Sequence, residues 1–177
     1  MRIAIIKSRY TPYGGAEKYT ARLIKAFADR GHEVDVLTSG NTEWPEEKSV
    51  TYIILSQSKF NNLLRLLSFN KSVREFLQKN QYDCILGMDN TELQTHIRLG
   101  GGLHGAWLER RSEEASYLRK LSFFFNPFHR AMVEIQRRAL HYKGLKKIIC
   151  NSRLVRDEIG HYYPEIAEKA VDCFLMN

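Results

Sequence analysis

A continuous apolar run, Ile3-Ala4-Ile5-Ile6, stands almost at the start of the chain and limits what it can fold into. Four apolar residues in succession, with no polar alternation, suit a strand buried on both faces of a parallel sheet. Ser8 to Tyr13 then leave the sheet as a loop held by Pro12. Gly14-Gly15 follow, just before an amphipathic segment from Ala16 to Arg30. That order puts the free N–H groups of a helix's first turn where a ligand can approach the backbone and where an anion is favoured. A tight turn with no ligand is the plainer reading of two adjacent glycines taken alone.

The same alternation continues along the chain. Gly31-His32 is a helix stop, and Val34, Val36 and Leu37 mark a second strand. Ser39 to Lys48, with Pro45, reads as a loop, and Val50 to Leu55 as a third strand. Leu63, Leu64, Leu67, Val73, Phe76 and Leu77 have helical spacing, which predicts one long or broken helix over Phe60–Asn80. Its Leu-rich first half, with Lys59, Arg65 and Lys71, suits a core-facing helix or a lipid surface. Cys84 to Met88 reads as a fourth strand, and Thr95 to Leu99 as a short fifth with one polar side. Gly100-Gly101-Gly102 leads to Leu103-His104-Gly105 and a helical stretch rich in Glu, Arg and Leu. Phe123-Phe124-Phe125 reads as core rather than membrane anchor. Pro127 opens a helix to about Tyr142, and Ile148 to Cys150 form a sixth strand. Asn151-Ser152 cap the next helix, Pro164 closes it, and Val171 to Leu175 make a last strand. Strands alternating with helices throughout define an α/β fold with a doubly wound parallel sheet.

A length of 177 residues allows one domain with a full core, and 44% hydrophobic with 27% charged residues is ordinary for a globular protein. Apolar runs fall far short of the ~20 residues that span a bilayer, and Met1-Arg2 lead straight into the first strand. The expectation is therefore neither a signal peptide nor a transmembrane helix. Cys84, Cys150 and Cys173 are odd in number, lack metal-ligand spacing and lie in or beside strands, so buried free thiols in a reducing cytoplasm are expected. The net charge of +7 is uneven: Arg98 to Arg156 holds 13 Lys or Arg against 4 Glu, and the remainder is slightly acidic. Such an excess implies an acidic partner for that half, or else only a solvated basic face.

Three clusters now coincide. Tyr13-Gly14-Gly15-Ala16-Glu17 follows the first strand, Arg30-Gly31-His32-Glu33-Val34 follows the first helix, and Asn151-Ser152-Arg153 with Val155, Glu158 and Ile159 follows the sixth strand. This set closely resembles the N-terminal domain of retaining glycosyltransferases of family 4, which have two Rossmann-like domains facing a cleft (the GT-B architecture). The middle, with Asp89-Asn90, Thr95-His96-Ile97-Arg98, Gly101-Gly102, His104 and Trp107-Leu108-Glu109-Arg110-Arg111, is most similar to the members that glycosylate the lipopolysaccharide core. The resemblance runs over essentially all 177 residues. It implies a single N-terminal, acceptor-side Rossmann-like domain over residues 1–177. In that family the last strand is followed by Asn-Gly and a linker into a second domain, with a pair of glutamates seven residues apart in the nucleotide-sugar site. Here the sequence stops at Asn177, so the expectation is a half that transfers nothing alone.

The resemblance implies transfer from a nucleotide sugar, UDP-linked, to a lipid-linked saccharide, with no metal, on the cytoplasmic face of the inner membrane as a peripheral protein. Gly14 and Gly15 would hold the departing diphosphate through backbone N–H groups. Glu17, in the first helical turn, serves the helix dipole as readily as a substrate. His104, by resemblance, lies near the donor sugar or reacting centre, donating to a sugar hydroxyl or orienting the acceptor. It is not assigned as a general base, because a retaining front-face reaction can pass the proton to the diphosphate. Asp89 and Asn90 are candidates for acceptor hydroxyls, and Arg98, Arg110 and Arg111 for acceptor phosphates, since guanidinium matches phosphate geometry. Loop, cap or solvated-surface roles compete for each of them. Three rivals stay open: a family member acting on another glycan, and a non-catalytic basic α/β module binding either a nucleotide or an anionic membrane surface. A dinucleotide oxidoreductase is disfavoured because no Gly-x-Gly-x-x-Gly follows the first strand, and no motif supports nucleic-acid binding.

Overall fold

The computed structural model describes residues 1–177 apart from 12, 41–43, 114–115, 117–119, 121, 124 and 174–177. Strand β1 (Arg2–Ile6) is flanked by β2 (Glu33–Thr38) and β4 (Cys84–Gly87), both parallel to it. Its run Ile3–Ile6 is sealed on both faces, as an uninterrupted apolar strand requires. With β3 (Val50–Ile54), β5 (His96–Leu99), β6 (Lys147–Cys150) and β7 (Ala170–Asp172), the sheet runs β3-β2-β1-β4-β5-β6-β7, every pair parallel. The order reverses direction between β1 and β4, which is the topological switch point of a doubly wound sheet.

Helix α1 (Gly15–Ala28) turns Thr20 and Ile24 inward, and the Thr20 hydroxyl donates to the Ala16 carbonyl, so the buried oxygen carries no penalty. Gly31, at φ +76°, takes the left-handed conformation that ends the segment, and the chain enters β2. Helix α2 (Asn62–Lys79) is unbroken, capped by Asn61, whose side chain accepts from the Leu64 N–H. Helices α3 (His104–Glu113), α4 (Pro127–Leu140) and α5 (Arg153–Tyr162) follow, α4 capped by Asn126 with Pro127 in its first turn and α5 by Ser152. Pro164 starts a short 3₁₀ helix to Lys169, so it both ends α5 and begins the next turn.

The core has three parts. Ile3, Ile5, Val34 and Val36 pack under α1, while Ile6, Leu37, Phe69 and Val73 pack under α2 on the other face. A larger cluster joins Ile97, Leu99 and Ile148 to α3, α4 and α5 through Ala106, Leu140 and Ile159. The expected polar side of β5 is present: His96 and Arg98 are half-buried while Ile97 and Leu99 are sealed. Strands β4 and β5 share only two register pairs, Leu86 with His96 and Gly87 with Ile97, whereas β1 and β2 share five. Thr95 continues that seam with both backbone and side chain: its N–H donates to the Ile85 carbonyl at 3.0 Å, and its hydroxyl accepts from the Ile85 N–H and donates to the Ile85 carbonyl.

Two expectations are corrected. Cys150 is buried, but Cys84 is only half-buried and Cys173 is exposed, because β7 is an edge strand and Cys173 lies just beyond it. Burial and the nearby Asp172 push the Cys150 thiol up to about 11. Phe125 is 66% exposed, whereas Phe123 is half-buried and meets His129 edge-on. Phe124, and the Phe174–Leu175 end of the expected last strand, lie outside the described residues. Among the described residues, no helix is long and apolar enough to cross a membrane.

Candidate functional site

All seven strands point the same way, so the loops after them converge on one edge. There a cavity of about 760 Å³ opens over the switch point. One wall comes from the loops after β1 and β4, through Ser8, Met88, Asp89 and Asn90; the other from the loops after β5 and β6, through Gly100–Gly102, His104 and Asn151. Leu66, Phe69, Trp107 and Met132 make the apolar lining.

The first wall is braced from within. Asp89 accepts from the Ser8 N–H at 2.7 Å, the Ser8 hydroxyl at 2.5 Å and the Lys7 ammonium at 2.8 Å. Lys7 is only 11% exposed at its side chain and also faces Glu17 at 3.4 Å. Burial opposes the charge on Lys7, but Asp89 and Glu17 outweigh it and hold the ammonium above the ordinary lysine range. Both carboxylate oxygens of Asp89 are therefore engaged by the protein. Asn90 donates to the Met132 sulfur at 3.5 Å, and its carbonyl accepts from Asn70. Gly14 is the N-cap of α1 and Gly15 its first residue; they stand at the rim, and Ala16 of the same turn lines the cavity.

The second wall hangs on a buried carboxylate. Gly102 has φ +79°, and a Cβ there would come within 2.5 Å of Glu158, so only glycine allows the loop to pass so close. Glu158, 6% exposed on α5, accepts from the Leu103 N–H at 2.9 Å and forms an ion pair with Arg110. Gln136 of α4, also buried, accepts from the His104 N–H at 2.8 Å. Asn151 donates to the Gly100 carbonyl at 2.7 Å, while its Oδ1 has no hydrogen-bond partner among the described residues. His104 lies parallel to Trp107 at 5.4 Å and meets His129 of α4, Nε2 to Nδ1, at 3.0 Å. Burial, then the neighbouring His129, hold the His104 imidazole below its ordinary value and so neutral at physiological pH.

Among the sequence candidates, Asp89, Asn90, Arg98 and His104 line the cavity. Arg98 also stacks over Tyr19 at 4.4 Å. Arg110 turns to Glu158, and Arg111 lies over the Trp107 ring at 5.4 Å, so neither is part of the lining. The basic half does not form one surface. Arg137 and Arg138 pair with Glu134, Arg156 pairs with Asp172, and Lys146 and Lys147 sit at the start of β6, on the edge away from the cavity. Sequence reasoning missed Ser8, Gln136, His129 and the latch role of Glu158. Gln136 did carry a signal: it is a polar residue beside Ile135, Ala139 and Leu140 on the buried face of α4. Among the described residues, no group of three or more His, Cys, Asp or Glu is placed to hold a metal ion.

A parallel doubly wound sheet with a cleft over its switch point is the Rossmann-like architecture of the N-terminal half of GT-B enzymes. The chain belongs to Glycosyltransferase Family 4, whose family model matches residues 13–171. Among solved structures it is similar to WaaG, a glycosyltransferase involved in lipopolysaccharide biosynthesis, with a TM-score of 0.81 and 19% identity over 96% of this chain and 44% of that one. It is also similar to sucrose-phosphate synthase of Thermosynechococcus elongatus (TM-score 0.64, 14% identity, 98% and 47% covered). A third similar structure is HepE of Anabaena in complex with UDP and glucose (TM-score 0.55, 17% identity, 98% and 44% covered). The chain spans less than half the length of these three proteins. No curated protein gives a significant match.

Proposed function

We propose that the chain is the acceptor-side domain of a retaining glycosyltransferase that moves a sugar from a nucleotide-sugar donor to a lipid-linked saccharide of the lipopolysaccharide-core type. The observation that carries the reading is the cavity at the switch point, walled by Ser8, Gly100–Gly102, His104 and Asn151 with the α1 N-terminus at its rim. In this reading the first-turn N–H groups at Gly15 and Ala16 stabilise the diphosphate as charge builds on it. His104 and Asn151 hold sugar hydroxyls, and Arg98 meets an acceptor phosphate. The similarity to WaaG supports the choice of acceptor class. A second domain holds most of the donor, so this chain alone is expected to bind nucleotide sugars weakly, with Kd on the order of 1 mM. Calorimetry with a panel of UDP-, ADP- and GDP-sugars tests this. Micromolar binding would place the donor site wholly in this half, and no saturable heat with any donor would remove nucleotide sugars from the reading.

A lipid-linked acceptor also requires approach to a bilayer. Phe60, Leu64 and Leu67 are exposed at the N-terminal end of α2, with Lys59 and Lys71 exposed beside them and Leu66 lining the cavity. Each basic side chain near an anionic surface contributes about 1 kcal/mol, screened within ~8–10 Å at physiological salt. Vesicle binding is therefore expected to rise with anionic lipid, fall with added salt and weaken in Phe60→Ser. Equal binding to neutral and anionic vesicles would end the electrostatic part of this reading.

A further inference from the structure

The contact between His104 and His129 carries a consequence for the chemistry of the cavity. The facing nitrogens, His104 Nε2 and His129 Nδ1, are 3.0 Å apart, so one proton lies between them and one nitrogen is bare. Two arrangements satisfy this. Either His104 Nε2–H donates, with His129 in its own Nε2–H form, or His129 Nδ1–H donates and both rings take the Nδ1–H form. Neutral histidine intrinsically favours Nε2–H, and only the first arrangement gives both rings that tautomer.

The surroundings favour a neutral ring for His104, the first residue of α3, where the positive end of the helix disfavours an imidazolium. His129 lies in the first turn of α4. Trp107, Phe123 and Phe128 surround His129 with aromatic faces and edges. Arg111 lies over the Trp107 ring, and Glu158 is engaged by Arg110 and the Leu103 N–H. Neither makes a hydrogen bond to either ring. His104 lines the cavity, and its Nδ1 has no hydrogen-bond partner among the described residues.

We propose that His129 is a positioning residue that accepts the Nε2 proton of His104 and so presents a bare His104 Nδ1 to the cavity as a hydrogen-bond acceptor. The ligand it fits is a hydroxyl-bearing one, a sugar whose O–H donates to Nδ1. This rests on the reading of the cavity as a sugar site and deepens it, because His104 then receives a hydrogen bond instead of giving one.

The test is long-range ¹H–¹⁵N correlation spectroscopy of the chain with labelled histidines, with no donor or acceptor added. Wild-type protein is expected to show His104 as a single Nε2–H tautomer. His129→Phe keeps the aromatic packing, removes the partner nitrogen and should leave His104 as a tautomer mixture. His129→Asn places an amide oxygen near the lost Nδ1 and should restore the single form. An Nδ1–H tautomer in the wild type overturns the proposal by itself, whether or not the variants fold. An unchanged His104 signal in folded His129→Phe does so too. Because no sugar is present, a failed glycosyl-transfer reading and a failed tautomer assignment give separate results.

Discussion

Asp89→Ala is expected to lower stability by about 3 kcal/mol, because it removes the nearer of the two carboxylates facing a mostly buried ammonium and leaves both Ser8 donors without their acceptor. In a domain of this size that corresponds to a fall in melting temperature of roughly 6–12 °C. Asp89→Asn keeps an acceptor for Ser8 but loses the charge facing Lys7, and about half the deficit is expected. Denaturant unfolding at pH 7 measures both. The Lys7 part has a defined pH range. A lysine whose pKa is raised by folding stabilises fully below its unfolded value, near 10.4, and loses that contribution as pH climbs through the folded value. The gap between wild type and Asp89→Ala should therefore hold steady from about pH 6 to 9 and narrow only in more alkaline solution. A variant within about 0.5 kcal/mol of wild type would mean that the carboxylate is not a latch and is available to a ligand.

Glu158→Ala is the second large effect, expected at about 2–3 kcal/mol. Most of it is the Leu103 N–H left buried without an acceptor; the Arg110 share is discounted because that side chain is 48% exposed. Glu158→Gln retains an acceptor and should lose less than half as much. Amide hydrogen exchange adds a local measure: the Leu103 amide should lose protection in the alanine variant ahead of the β1 and β2 amides. Full protection at Leu103 without the carboxylate would show that the loop is held by other bonds, such as the one from the His104 N–H to Gln136.

The expected alternation of strands and helices matches the fold, because apolar runs and helical spacing are local signals that burial reinforces. The strand from Ile3 to Ile6 and the single helix over residues 62–79 are instances. The gathering of the glycine pair, Asp89 and His104 at one edge was also legible, since a parallel sheet sends every strand-to-helix loop to the same side. Side-chain partners were not legible. Lys7 and Asp89 are 82 residues apart, and Leu103 and Glu158 are 55 apart, so no spacing rule connects them. Arg110 illustrates the cost: its chemistry suits phosphate, and only the fold reveals a buried carboxylate beside it. Phe125 and Cys173 were misjudged for a related reason, since an apolar side chain reports a preference for burial and not whether anything covers it.

The seam between β4 and β5 has a mechanical meaning. With two register pairs, extended by the Thr95 N–H and hydroxyl bonded to Ile85, it has fewer register pairs than any other seam of the sheet. The panel on one side carries Ser8, Asp89 and the α1 N-terminus; the panel on the other carries the triple glycine, His104 and Asn151. Small flexing along that line costs few hydrogen bonds and leaves both panels intact, yet it directly alters the gap between them. The width of the cavity is thus set across the seam with the fewest register pairs, and a guest that bridges the two panels would brace the sheet at that line.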